Sequence, residues 1–120
     1  MSHRRLREDG MVTAEIAVAM PALLLVTTIA LSAVGAVTDQ LRCVDAARTG
    51  ARLLARGEPV ERVRTEVAGQ APAGATVQVR VMPDDVTVTV TADPPPLLES
   101  LGIGLRPRGT ARAAPEEPSP

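Results

Sequence analysis

Residues 10–37 read GMVTAEIAVAMPALLLVTTIALSAVGAV. From Ile16 through Val37 this run holds no charged residue. Its 22 residues make about 33 Å of helix, enough to cross a hydrocarbon core of roughly 30 Å. Residues 11–37 are therefore expected to form a transmembrane helix. One carboxylate, Glu15, stands just before the run, and a charged cluster, RRLRED, precedes Gly10.

Working outward toward the N-terminus, residues 1–10 read as a short basic leader carrying His3, Arg4, Arg5 and Arg7. Basic residues beside the first apolar helix favour an N-terminus in the cytoplasm and a C-terminus outside it, so the expected location is the cell membrane with a single pass. Thr13 is the expected N-cap of the helix, with Glu15 in its first turn, where a carboxylate suits the helix dipole. Pro21 removes one backbone donor inside the helix, and a kink is expected there.

Beyond Val37 the helical pattern continues. Leu41, Val44, Ala47, Ala51 and Leu54 recur at three- and four-residue spacing, while Arg48, Arg52 and Arg56 form a stripe on another face. Residues 38–57 thus read as an amphipathic extension of the same helix. Gly50 is its weak point and Gly57 its stop. Residues 58–112 read as a small α+β region on the far side of the membrane. It begins with a second, shorter helix over 58–69, with Val60, Val63 and Val67 on one face.

The clearest β signal follows. Val77, Val79 and Val81 alternate with polar residues, as do Val86, Val88 and Val90. The alternation selects the turn. A three-residue loop would set Val81 against Thr87 and mix the faces. A four-residue loop, 82–85, pairs Val81 with Val86, Val79 with Val88 and Val77 with Val90. All six valines then share one face, and a type I turn accepts Pro83 at its second position. An isolated hairpin is marginal, so this face must cover something, most simply the 38–56 helix or the second helix. A helical turn is expected over 97–102 and a third, edge strand over 109–114. Residues 113–120 read as a disordered tail. The fold class is α+β: a long N-terminal helix, a short second helix and a small C-terminal antiparallel hairpin, with room for a third strand.

Composition narrows the function. The 120 residues contain no Phe, Tyr or Trp, so any core is built from small aliphatic side chains and leans on a membrane or a partner. The formal net charge of −1 creates no field that would gather nucleic acid, and no aromatic ring is present to stack a base. All 13 basic residues are Arg, which reads as coding bias. The single His3 lies in the leader, and no metal-ligand spacing, phosphate loop or dinucleotide turn is present. Asp84 and Asp85 read as turn residues. No catalytic residue, metal, cofactor, small-molecule substrate or nucleic-acid partner is expected, and enzyme activity is not expected. The one cysteine, Cys43, rules out an intrachain disulfide and leaves two readings: a small residue packed in a helix, or an intermolecular disulfide.

A carboxylate at the edge of a membrane helix costs free energy and invites a partner. The arrangement of Gly10, Glu15 and Pro21 in GMVTAEIAVAMPALLLV resembles the N-terminus of type IV pilins and pseudopilins. It is most similar to the TadE-like minor pilins of tight-adherence systems, with QLRCVDAARTGARLLARGE resembling their helical extension. The likeness covers about residues 4–57. It implies cleavage between Gly10 and Met11 by a prepilin peptidase on the cytoplasmic side. It implies that Glu15 then pairs with the α-amino group of a neighbouring subunit, making Glu15 a subunit assembly contact. The implied partners are the lipid bilayer, the peptidase, other pilin or pseudopilin subunits and a pilus assembly platform or secretion apparatus. Two other readings stand beside it. One is a secreted protein with a conventional signal peptide cut near residues 33–36. The other is an unprocessed single-pass membrane adaptor. Met11 is also an alternative translation start.

Overall fold

The computed structural model describes residues 2–117. The elements are α1 (Ser2–Ala55), α2 (Val60–Gln70), β1 (Thr76–Val81), β2 (Val86–Thr91), α3 (Pro96–Ser100) and β3 (Arg108–Ala113). The fold is α+β, as expected, with the third strand present. The strands form one antiparallel sheet in the order β1-β2-β3. The part of the tail over 118–120, and Met1 of the leader, lie outside the described residues.

Helix α1 is 54 residues long, about 80 Å at about 1.5 Å per residue, and the whole chain measures 96 × 23 × 19 Å. It differs from expectation at its start. The leader is not a separate segment: the helix runs through it from Ser2, because Arg, Leu and Glu are good helix formers and extending an existing helix is easier than starting one. Thr13 is accordingly not an N-cap. It lies inside the helix and donates its hydroxyl to the carbonyl of Asp9 at 2.9 Å. Thr27, Thr28, Ser32 and Thr38 do the same to Leu23, Leu24, Thr28 and Val34. The hydroxyls of the apolar run are thus satisfied within the helix, as a lipid environment demands. The helix continues through Pro21 as one element.

Its end follows the expected pattern. Gly57 has φ +84°, the left-handed conformation that glycine adopts without a Cβ penalty. Gly57 N–H donates to Leu54 O at 2.9 Å and Glu58 N–H to Leu53 O at 3.1 Å. This pair of bonds closes the last carbonyls of a helix and turns the chain back. Helix α2 then starts after Pro59, whose carbonyl accepts from Val63 N–H at 3.0 Å.

The hairpin has the register that the valine alternation requires: Val81 opposite Val86, Val79 opposite Val88 and Val77 opposite Val90. Asp85 N–H donates to Met82 O at 3.4 Å, closing the four-residue turn, and Met82 N–H donates to Asp85 O at 2.7 Å. The six valines are not buried equally. Val86, Val88 and Val90 are fully buried, Val77 and Val79 half-buried, and Val81 is 57% exposed. The cause is the third strand, which makes β2 central and β1 an edge. Helix α1 covers β2 and β3, α2 packs on β1, and Val81 at the hairpin tip has nothing above it.

The core joins Cys43, Ala46, Ala47, Ala51 and Leu54 of α1 to Val63 and Val67 of α2 and Val86, Val88 and Val90 of β2. Of the expected stripe, Ala47, Ala51 and Leu54 are buried, and the difference lies at its start. Leu41 is 61% exposed and Cys43 is completely buried. Small residues win the inner face because the sheet comes so close. A Cβ on Gly109 of β3 would overlap the backbone of Cys43 and Val44, and a Cβ on Gly50 would stand 2.7 Å from Val67 Cγ2 and 3.1 Å from Val88 Cγ1. Gly50, a flaw by helix propensity, is a contact surface. One polar clamp fixes the strand along the helix: the Gln40 side-chain amide donates to Arg108 O at 2.6 Å and accepts from Arg108 N–H at 2.7 Å.

These contacts order two substitutions. Gly109→Ala meets rigid backbone and is expected to cost at least about 3 kcal/mol, at the upper end for overpacking. Gly50→Ala meets movable valine methyls and gains about 1 kcal/mol of helix propensity, so its net cost is expected to be smaller, about 0–2 kcal/mol. Urea unfolding of the full chain in detergent, followed by circular dichroism, measures both, and equal costs would contradict the backbone-contact argument.

Candidate functional site

Two places on α1 bear the residues singled out from the sequence. The first is the stretch from Gly10 to Pro21. Gly10, Met11, Glu15 and Pro21 are all exposed on one continuous helix. Met11 and Glu15 are four residues apart and so lie on one face, a turn from each other. Among the described residues Glu15 makes no ion pair. The apolar run above it is equally bare: Ile16, Leu23, Leu24, Leu25, Val26 and Leu31 are each more than half exposed. The helix is long and apolar enough to cross a membrane, and none of its most apolar window is buried against the rest of the protein.

Gly10 differs from Gly50 and Gly109 and is like Gly35. Nothing lies within 4 Å of the position its Cβ would take, and its backbone is helical. Glycine inside a helix costs about 1 kcal/mol relative to alanine. No contact within the described chain repays that cost at Gly10 or at Gly35, so open space alone does not single Gly10 out; its place five residues before Glu15 does. Pro21 costs more, since the carbonyl of Ala17 loses its helical donor.

The second place is Cys43. Its side chain has no exposed surface and is unpaired. An intermolecular disulfide is therefore not open to the folded subunit: the sulfur lies beneath the sheet, and a second chain reaches it only if α1 and β3 separate. Burial first, and then the charge of Asp39, push its thiol above the ordinary value, while a backbone hydrogen bond with Ala92 pulls the other way.

Sequence reasoning missed the outer face of the sheet. The register lines up Arg80, Thr87 and Arg112 across the three strands, and Gln78, Thr89 and Thr110 beside them. Arg64 and Arg108 border the same shallow groove. The alternation in β1 and β2 put these polar residues on one face, but the third strand was needed to bring Arg108 and Arg112 to it. Arginines on both edge strands also discourage unwanted strand pairing.

The chain is 46% identical over 93 residues to a Mycobacterium tuberculosis protein named apoptosis inhibitor Rv3655c, a match covering 77% of this chain and 72% of the relative. The chain belongs to that protein's family. The matched length exceeds both the 54 residues of α1 and the 65 that follow it, so it takes in parts of the long helix and of the head, the α2–β3 region packed on its C-terminal part, together. No family model matches the chain, and no solved structure matches it.

Cys43 yields a pH prediction. A thiol whose folded value is raised keeps its proton when the unfolded chain has already lost it. The stability is thus fully present below the ordinary value of 9.0 and falls as pH rises past it. The chain has no Lys and no Tyr, so no other side chain titrates between about pH 8 and 11. Urea midpoints are expected to decline across that range for the natural chain and to stay flat for Cys43→Ala. The native thiol is also expected to resist iodoacetamide until urea opens the head.

Proposed function

We propose that this protein is a TadE-like minor pilin or pseudopilin, a membrane-anchored assembly component of a tight-adherence or type IV-like pilus or secretion apparatus. The observation that carries the reading is Glu15, which among the described residues stands without an ion pair at the foot of a bare apolar helix, five residues after Gly10. A prepilin peptidase that cuts after Gly10 supplies the reason for the glycine. Proteases engage extended chain, and a glycine is where this helix opens most readily. The cut leaves Met11 as the N-terminus and Glu15 in the first turn, where the helix dipole favours a carboxylate.

The released α-amino group is a cation, and Glu15 of a neighbouring subunit is the anion that meets it as the helices pack into a fibre. The helix then has two successive environments, lipid before assembly and the apolar helices of other subunits afterwards. Orientation follows the basic leader, with the N-terminus in the cytoplasm and the head outside.

A signal peptide cut near residues 33–36 fits less well, because Ala36 is 6% exposed in the middle of α1. An unprocessed single-pass adaptor is favoured by one feature, the unbroken helix from Ser2. The relative's name describes an effect on a cell, and no side-chain arrangement among the described residues corresponds to it.

N-terminal sequencing of the membrane-bound protein separates these readings. Met11 is expected; a start at residue 1 or 2 assigns the adaptor, and a start near Val37 the secreted protein. Gly10→Ala is expected to abolish cutting while leaving the stability of the head unchanged. Glu15→Ala is expected to be cut at the same bond and to lose incorporation into fibres several-fold, and unchanged incorporation would remove Glu15 from assembly.

A further inference from the structure

The head has a fixed polarity along α1. Gln40 holds Arg108 at the start of β3, and Glu116, three residues beyond its end, donates its N–H to Ala55 O at 2.8 Å. Strand β3 therefore climbs α1 from residue 40 to residue 55. The segment before it lies on the other side of Gln40, toward the apolar run. That segment ends at Pro107, whose carbonyl accepts from Ala92 N–H at 2.9 Å. Leu105 and Pro107 share a shallow groove with Ala33, Ala36 and Val37 of α1, the last turns of the uncharged run.

This lower end of the head carries the sequence Leu101, Gly102, Ile103, Gly104, Leu105, Arg106, all six exposed. Leu101, Ile103 and Leu105 are 49%, 40% and 51% exposed, although the head has few large apolar residues to spare. Leu98, just before them, is buried. The chain thus turns three large side chains outward, and the last of them, Leu105, lies against the last turns of the uncharged run.

We infer that the 101–106 loop dips into the bilayer surface and gives the head a second membrane contact. Leu101, Ile103 and Leu105 enter the boundary between headgroups and acyl chains. Arg106 meets the phosphates of anionic lipid. Apolar side chains with a neighbouring cation are the usual chemistry of an interfacial anchor. The occupant is lipid rather than a second copy because the groove is continuous with the spanning part of α1. The inference rests on reading residues 11–37 as a membrane anchor. Held at two places, the head is fixed in tilt and rotation on the membrane.

The test uses the full chain with Cys43→Ala, reconstituted in nanodiscs of phosphatidylcholine and phosphatidylglycerol, and an environment-sensitive fluorophore on one introduced cysteine. The labelled variants are Ile103→Cys in the loop, Asp84→Cys at the opposite hairpin tip and Leu24→Cys in the span. Lipids with a spin label near the headgroup are expected to quench position 103 several-fold more than position 84. Arg106→Gln is expected to weaken that quenching in phosphatidylglycerol and not in pure phosphatidylcholine. Equal quenching at 103 and 84, with position 24 quenched by lipids labelled deep in the chain, overturns the loop contact alone. An unquenched position 24 overturns the anchor itself. A position 103 shielded from aqueous iodide but not reached by the lipid label assigns the patch to a second copy and overturns the lipid assignment.

Discussion

The head depends on how closely β3 approaches α1. Gly109 lies against the backbone of Cys43 and Val44, and Gly50 against the methyls of Val67 and Val88. A chain without aromatic residues has no large side chains to fill a gap between helix and sheet. It closes the gap by bringing backbones together. The inner face of α1 against the sheet is therefore mostly small, Cys43, Ala46, Ala47, Gly50 and Ala51, with Leu54 at its upper end, and the valines of β2 reach across the short distance that remains. Close packing of this kind is sensitive to single methyl groups.

That constraint explains what the sequence did and did not reveal. The hairpin register was legible because a period of two admits one pairing that keeps the valines together, and a slip of one residue would expose them all. The helix stop at Gly57 was legible from glycine's freedom at positive φ. The α1 stripe was legible only in part: Ala47, Ala51 and Leu54 are buried as expected, but nearest β3, where backbones nearly touch, size decides, and Leu41 is turned outward while Cys43 and Ala46 are turned in. The Gln40–Arg108 clamp joins residues 68 apart, a separation no local pattern reports.

At the candidate site, the span and Glu15 were readable because a charge beside an apolar run breaks a strong rule, and Gly10 was readable from its spacing to Glu15; that Gly10 lies inside a helix came from the structure. Four glycines of α1 and the strand against it can be compared: Gly50 and Gly109 are explained by contacts within the subunit, and Gly10 and Gly35 are not. Gly10 is set apart from Gly35 by its spacing to Glu15. Cys43 moved from a candidate for crosslinking to a residue whose value lies in its small volume.

The same closeness bears on the long helix. Because the head grips α1 only from about residue 36 upward, it leaves the lower part bare on all sides. A helix that is apolar all round and touches nothing in its own chain must be covered by something else. Lipid covers it without specificity. Other helices cover it with specificity only if they can approach closely, and Ala17, Ala19, Ala22, Ala30 and Ala33 give the run small side chains on several faces. Association between such helices in lipid is weak, since lipid solvates apolar side chains as well as another helix does. In the proposed assembly an ion pair changes that balance, because the amino group released on a neighbouring subunit gives Glu15 a partner that hydrocarbon does not. The charge at the foot of the helix, rather than its apolar length, is what would make leaving the bilayer favourable.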